Sequence, residues 1–164
     1  MDRFTTERLV VEDWTPHLGN EVRRSSLESA LTDLLTPPVL RHLPEPLHLT
    51  DDIAHWIDAR QAEADIHLVQ TKNGTLIGLL ILAAAGETPP DIHIGYLFGE
   101  AHWGRGYATE LLQGLVTHLP RPVRLLAGVE PDNTASIRVL ERVGFTRCDA
   151  DGLYALRLGD VGGA

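Results

Sequence analysis

One stretch constrains this chain more than any other: a strand, a short loop, a glycine-rich turn and a helix in immediate succession. His93-Ile94-Gly95-Tyr96-Leu97-Phe98 reads as the strand, and Trp103-Gly104-Arg105-Gly106-Tyr107-Ala108-Thr109-Glu110 as the turn and helix start. The helix follows from spacing, since Ala108, Leu111, Leu112, Leu115 and Leu119 recur on one face. Gly104 and Gly106 stand where its first turn opens. Backbone N–H groups there lack an intrahelical partner, the helix dipole favours an anion, and glycine admits a close approach to the backbone. The stretch predicts a diphosphate-binding turn beyond the carboxyl end of a strand.

The remainder supplies a sheet for that strand. Arg8-Leu9-Val10-Val11 reads as a short strand, and Pro16 to Leu35, with Leu18, Val22, Leu27, Leu31 and Leu34 in a loose helical pattern, as a helix ended by the proline-rich piece Pro37 to Pro46. Thr50 is expected to cap a second helix with Asp51 and Asp52 in its first turn and Ile53, Trp56, Ile57 and Arg60 inward. Ile66 to Thr71 and Thr75 to Ala85 form a hairpin about Asn73-Gly74. Its second arm is apolar on both faces and therefore central in the sheet. Strand 91–98, helix 106–119 and strand 123–129 make one right-handed parallel crossover, with Pro120 and Pro122 ending the helix. Asn133 opens a last helix that Gly144 stops, and Phe145 to Asp149 with Leu153 to Leu158 close the chain as a hairpin about Asp151-Gly152. The tail from Gly159 is expected to be loose. The expectation is one α/β domain over residues 1–164: a mixed sheet of six or seven strands with about four helices.

Composition narrows the partners. The net charge of −9 and the lack of a basic stripe argue against nucleic acid and suit a cationic substrate such as an amine. Cys148 is the only cysteine, so no intramolecular disulfide forms and a reducing cytoplasm fits. Met1-Asp2-Arg3-Phe4 lacks an apolar signal core. The longest apolar run, Leu76 to Ala85, is far short of the roughly 20 residues a membrane helix needs.

The wording of the turn resembles the acetyl-coenzyme-A-binding motif of the GNAT acetyltransferase superfamily, in its RimJ/RimL-like branch. The superfamily pattern Gln/Arg-x-x-Gly-x-Gly/Ala falls on Trp103, Gly106 and Ala108. Tryptophan departs from the broad pattern but matches the Trp-Gly-Lys/Arg-Gly-Tyr-Ala-Thr-Glu wording common in the branch. Thr6-Glu7-Arg8-Leu9 resembles that branch's opening, although Val11-Glu12 replaces its usual Leu-Arg. A second stretch, Asn133 to Phe145, resembles the superfamily's Asn-x-x-Ser/Ala-x-x-x-(Leu/Tyr)-Glu-x-x-Gly-Phe. Two motifs in the right order, with a strand between them, make the resemblance far stronger than either alone.

The resemblance implies a GNAT fold, acetyl-coenzyme A as co-substrate and transfer of its acetyl group to a primary amine by direct attack in a ternary complex. The amine is a protein or peptide N-terminus or a small amine, and the protein a monomer or homodimer. The two early helices are expected to wall the acceptor site. The backbone of Leu97 and Phe98 is expected to meet the pantetheine arm, and that of Leu97 or Phe98 to supply an oxyanion donor. The amides of Trp103, Gly104, Arg105, Gly106, Tyr107 and Ala108 are expected to hold the pyrophosphate, the Arg105 side chain to meet a phosphate, and Asn133 to bond the pantetheine arm.

For catalysis, many relatives carry a glutamate where His93 stands; a histidine titrates near neutrality and accepts a proton directly or through water. Asp91 shares its strand face by alternation and is a helper candidate. The tyrosine that many relatives use as general acid is replaced by Leu140. Ser136, three residues after the asparagine, fits the RimL-like alternative, with Tyr96, Tyr154 and Cys148 as lesser candidates. No metal is expected, because the histidines are scattered and the lone cysteine forms no ligand cluster. Rival readings are a dinucleotide fold, disfavoured because Thr109 stands where a third glycine belongs, and a non-catalytic acyl-coenzyme-A binder or interaction protein on the same scaffold.

Overall fold

The computed structural model describes residues 1–49, 52–86, 90–148 and 151–159. Eight strands form one sheet in the order β1-β2-β3-β4-β5-β6-β8-β7. They are β1 (Phe4–Thr5), β2 (Leu9–Asp13), β3 (Asp65–Thr71), β4 (Leu76–Ala85), β5 (Asp91–Phe98), β6 (Val123–Gly128), β7 (Thr146–Arg147) and β8 (Leu153–Leu158). All neighbours are antiparallel except β5 and β6. The described helices are α1 (Thr15–Leu18), α2 (Glu21–Leu34), α3 (Pro37–Leu40), α4 (Ile53–Glu63), α5 (Tyr107–His118) and α6 (Thr134–Val143).

Burial on both faces explains the sheet's position. One face packs beneath α5 and α6 through Leu80, Ile94, Phe98, Leu111, Leu115 and Leu140. The other packs beneath α2 and α4 through Leu31, Trp56, Ile57, Leu68, Leu79 and Leu97. The alternation Ile94/Phe98 against Leu97 shows β5 contributing to both cores, as its central place requires. No described helix is long and apolar enough to cross a membrane.

The departures from the sequence reading have local causes. The expected helix from Pro16 to Leu35 is two helices, because Asn20 adopts an extended backbone and its side chain accepts from the Arg23 N–H at 3.1 Å, starting α2 afresh. α4 is capped by Asp52, whose side chain accepts from the His55 N–H at 2.8 Å; Thr50 and Asp51 lie outside the described residues. The sheet exceeds the expected six or seven strands because Phe4–Thr5 adds an edge strand, pairing with Val11 and Val10. The closing hairpin keeps its partners, but β7 is only two residues long and Asp149 lies outside the described residues. β8, not β7, lies against β6. Helices exceed the expected four because α1 and α3 are single turns.

Candidate active site: a gap between two parallel strands

β5 pairs with β4 along its whole length but with β6 only at Asp91, His93 and the residue between, opposite Arg124, Leu126 and Leu125. From Ile94 onward the two parallel strands part, and a gap opens towards their carboxyl ends. Register decides which backbone groups face it. Gly99 N–H donates to Ile77 C=O across β4, and Arg124 N–H donates to Pro90 C=O on the β6 side. Antiparallel residues alternate between bonding to the partner and pointing away. Odd-numbered residues of β5 therefore bond to β4, and the backbone of Ile94, Tyr96 and Phe98 points to the gap. Of the expected pantetheine-contacting pair, only Phe98 faces it. The backbone of Leu97 is directed at Leu79 of β4, because a strand cannot present consecutive residues to one edge. The Phe98 carbonyl accepts from the indole N–H of the half-exposed Trp103 at 2.8 Å.

The glycine turn follows directly. Gly104 and Gly106 have φ of 73° and 80°, a region costly for any side chain, and a Cβ at Gly104 would meet nothing within 4 Å. Gly106 is the N-cap of α5 and no side chain caps the helix. The first helical bond is Glu110 N–H to Gly106 C=O, so the N–H groups of Tyr107, Ala108 and Thr109 precede it. The Trp103 amide, expected among the pyrophosphate donors, is already bonded to Glu100 C=O. The Arg105 side chain is exposed, while its carbonyl accepts from Arg8 Nη1 at 3.0 Å.

That last bond belongs to a brace that the sequence reading missed. Glu110 Oε1 accepts from the Thr6 hydroxyl at 2.6 Å and the Arg8 N–H at 2.7 Å, and its Oε2 accepts from Arg8 Nε at 2.6 Å. The Arg8 guanidinium also lies 4.3 Å from the centre of the Tyr107 ring. Burial pushes the Glu110 carboxyl up, but the Thr6 and Arg8 hydrogen bonds outweigh it and hold the group below the usual carboxylate range. The signal was available, since the Thr-Glu-Arg-Leu opening and the Ala-Thr-Glu of the turn are both family wordings. Their contact is long-range and invisible to spacing.

Across the gap, Asn133 caps α6 and its Oδ1 accepts from the Ser136 N–H at 3.2 Å. Ser136 Oγ lies 2.7 Å from the Tyr96 hydroxyl. Burial pushes the Tyr96 phenol up against the opposing effect of this hydrogen bond. Leu140 is buried in the core, as is Tyr154, while Cys148 is exposed.

His93 is exposed and is the last β5 residue paired with β6, so it stands at the apex of the gap. It shares the sheet face of Leu97, opposite to that of Tyr96. Asp91 is not free to assist it. Its carboxylate takes Arg124 Nε at 2.9 Å and Nη2 at 2.5 Å across the parallel register, which holds it below the usual carboxylate range. The fold also gathers His42, Glu130 and Asp132, each offering a ligand atom within 4.8 Å of the others, a grouping that the scattered histidines of the sequence did not foretell.

Comparison with known proteins gives a consistent picture. The family model described as an acetyltransferase (GNAT) domain matches residues 21–146. The chain is 40% identical over 57 residues to an uncharacterized N-acetyltransferase, p20, of Bacillus licheniformis, covering 33% of this chain and 32% of that protein. It is 44% identical over 75 residues to YjcK, a probable N-acetyltransferase of Bacillus subtilis, covering 44% and 40% respectively. These alignments span well under half the length of the curated relatives. Two solved structures share the fold, each at 20% identity and a TM-score of 0.70. One is a GNAT-family acetyltransferase from Bacillus anthracis, covering 94% of this chain and 98% of that one. The other is RimL, the ribosomal L7/L12 alpha-N-protein acetyltransferase in complex with coenzyme A, covering 93% and 96%.

Proposed function

The chain belongs to the GNAT acetyltransferase family, and on that premise we propose that it is an acetyl-coenzyme-A-dependent N-acetyltransferase acting on a primary amine in a ternary complex. The observation that carries the reading is the gap between β5 and β6, with the uncapped, doubly glycine-hinged start of α5 at its mouth.

The residues present fit the co-substrate. The space beside Gly104 and the free N–H groups of Tyr107 and Ala108 suit a diphosphate, with the Arg105 and Arg8 cations alongside. The gap-facing backbone of Tyr96 and Phe98 suits the amide-bearing pantetheine arm, with Asn133 on the opposite wall. Acetyl-coenzyme A supplies an activated thioester carbonyl.

The chain's own groups divide the remaining work. His93 accepts a proton from the acceptor ammonium through intervening water, freeing the nitrogen lone pair. The Phe98 N–H supports the developing oxyanion as the nitrogen bonds to the acetyl carbon. When the C–S bond breaks, the electron pair leaves on sulfur, and Ser136 donates to it. The amine gives up two protons in all, of which one ends on the thiol and one in solvent. RimL, the ribosomal L7/L12 alpha-N-protein acetyltransferase, acts on a protein N-terminus. The net charge of −9 suits a cationic N-terminal or small amine equally.

The test is calorimetric titration with acetyl-coenzyme A, then thiol release against N-terminal peptides and small amines. Binding with thiol release on one amine class is expected. Binding without release on any amine returns the protein to the non-catalytic binder reading, and no binding refutes the assignment at its root.

A further inference from the structure

The Tyr96–Ser136 contact is a bond between two hydroxyls from opposite walls of the gap. Tyr96 sits on β5 where its backbone faces the opening, and its side chain passes under the gap to the first turn of α6. Ser136 is doubly held there. Its N–H is taken by Asn133 Oδ1, and its Oγ by the phenol.

A phenol is the more acidic hydroxyl and an aliphatic alcohol the more basic oxygen, so the lower-energy arrangement has Tyr96 donating and Ser136 accepting. Burial, which pushes the phenol up, keeps that proton on the tyrosine throughout the working pH range. The serine's own hydrogen is then excluded from the tyrosine side and left free to donate to a group in the gap. A lone serine at the start of a helix would otherwise rotate freely or bond to nearby backbone.

We propose that Tyr96 is a positioning residue whose hydroxyl donates to Ser136 Oγ and so fixes the serine's hydrogen towards the sulfur of the bound thioester. The inference rests on the reading of Ser136 given above. No proton leaves Tyr96 in this scheme; its bond to Ser136 Oγ shortens as negative charge builds on the sulfur and the serine oxygen becomes the more polarised. It also gives Tyr96 the place that the Leu140 substitution vacates, supplying a phenol to the site from the strand instead of the last helix.

The test needs no knowledge of the acceptor. Coenzyme A and desulfo-coenzyme A differ only at sulfur, so the ratio of their dissociation constants reads the hydrogen bond to that atom. In the wild-type protein coenzyme A is expected to bind about five-fold more tightly, the worth of one ordinary hydrogen bond. Ser136→Ala and Tyr96→Phe are each expected to bring the ratio close to one, and the double variant to lie no lower than either alone, since the two act through one bond. A ratio unchanged by Ser136→Ala, or near one in the wild type, refutes the role of Ser136 itself. A ratio lowered by Ser136→Ala but untouched by Tyr96→Phe overturns the positioning role and leaves that of Ser136 standing. Equal weakening of both ligands by Tyr96→Phe, with the ratio kept, shows a structural tyrosine and likewise overturns it.

Discussion

The brace beneath the glycine turn makes the sharpest prediction about how this fold holds its site. Replacing Glu110 by alanine removes a carboxylate with three donors: the Thr6 hydroxyl at 2.6 Å, the Arg8 N–H at 2.7 Å and Arg8 Nε at 2.6 Å. The first two are hydrogen bonds to a charged group whose side chain is only 16% exposed, and each contributes about 1.5 kcal/mol. The third is an ion pair to a guanidinium that is 42% exposed, so solvent screening holds it to under about 1 kcal/mol. Their sum is about 3 to 4 kcal/mol, to be read as a melting-point drop of roughly 6–16 °C at about 2–4 °C per kcal/mol for a chain of this size. The pH dependence has a definite sign. The folded-state carboxyl lies below its unfolded value, so its stabilisation is fully present above the unfolded pKa of about 4.5 and fades as pH falls through the folded one. Urea unfolding of wild type and Glu110→Ala, from pH 7 down to the acid limit of folding, should show a difference that shrinks on the acid side. Because Arg8 also holds the Arg105 carbonyl, the variant should bind coenzyme A several-fold more weakly. A variant within 0.5 kcal/mol of wild type at pH 7 (roughly the scatter of a neutral surface change), or a difference that ignores pH, refutes the reasoning.

Three further outcomes follow from single residues. His93→Ala should lower the turnover number by about 10²–10⁴-fold, the usual range for a lost general base, while calorimetry shows coenzyme A binding intact; a rate equal to wild type removes His93 from that role. Gly106→Glu places a carboxylate on the anion site and a side chain at φ of 80°, and coenzyme A affinity should fall about ten-fold or more by titration; unchanged affinity means the diphosphate lies elsewhere. His67 is fully buried on β3 with neither ring nitrogen at hydrogen-bond geometry, and burial holds its imidazole below the usual range despite the opposing pull of Asp13. Its stabilising neutral form is present above about pH 6.5 and lost as pH falls through the lower folded value, so His67→Leu should gain about 1–2 kcal/mol at pH 7.5 and flatten the loss between pH 7 and 5.5. Equal acid sensitivity of the two proteins by urea unfolding would count against it.

Much of this was legible in the chain because local physics fixed it. The expected ends of β5 are the observed ones, α5 falls one residue inside the expected 106–119 at each end, and α6 lies between Asn133 and Gly144, since Gly106, Asn133 and Gly144 mark helix boundaries by backbone chemistry that depends on immediate neighbours alone. The break at Asn20 was missed because the apolar spacing of Leu18, Val22 and Leu27 runs through it, and the pattern carries no record of where a polar side chain stops pointing outward and caps the next turn. Val22, counted into that pattern, is 76% exposed. The brace was missed because its members are separated in sequence by most of the sheet. Register is the intermediate case. The residues of β5 were known, but which of Leu97 and Phe98 faces the gap depends on the pairing with Ile77 and Leu79, and a one-residue slip inverts the answer.

That same period of two bears on how the proposed chemistry is divided. His93 is odd-numbered and lies on the sheet face of Leu97, the face that α2 and α4 cover at Leu97, but is itself exposed. Tyr96 is even-numbered and lies on the face of α5 and α6, with Ser136. Of the backbone between them, that of Ile94 faces the gap and that of Gly95 bonds to β4. The proton acceptor and the hydrogen-bond donor of the proposed mechanism thereby stand on opposite sides of one strand, three residues and roughly 10 Å apart along it. On that proposal the thioester lies along the edge of β5 that β6 leaves open beyond His93, between the two groups.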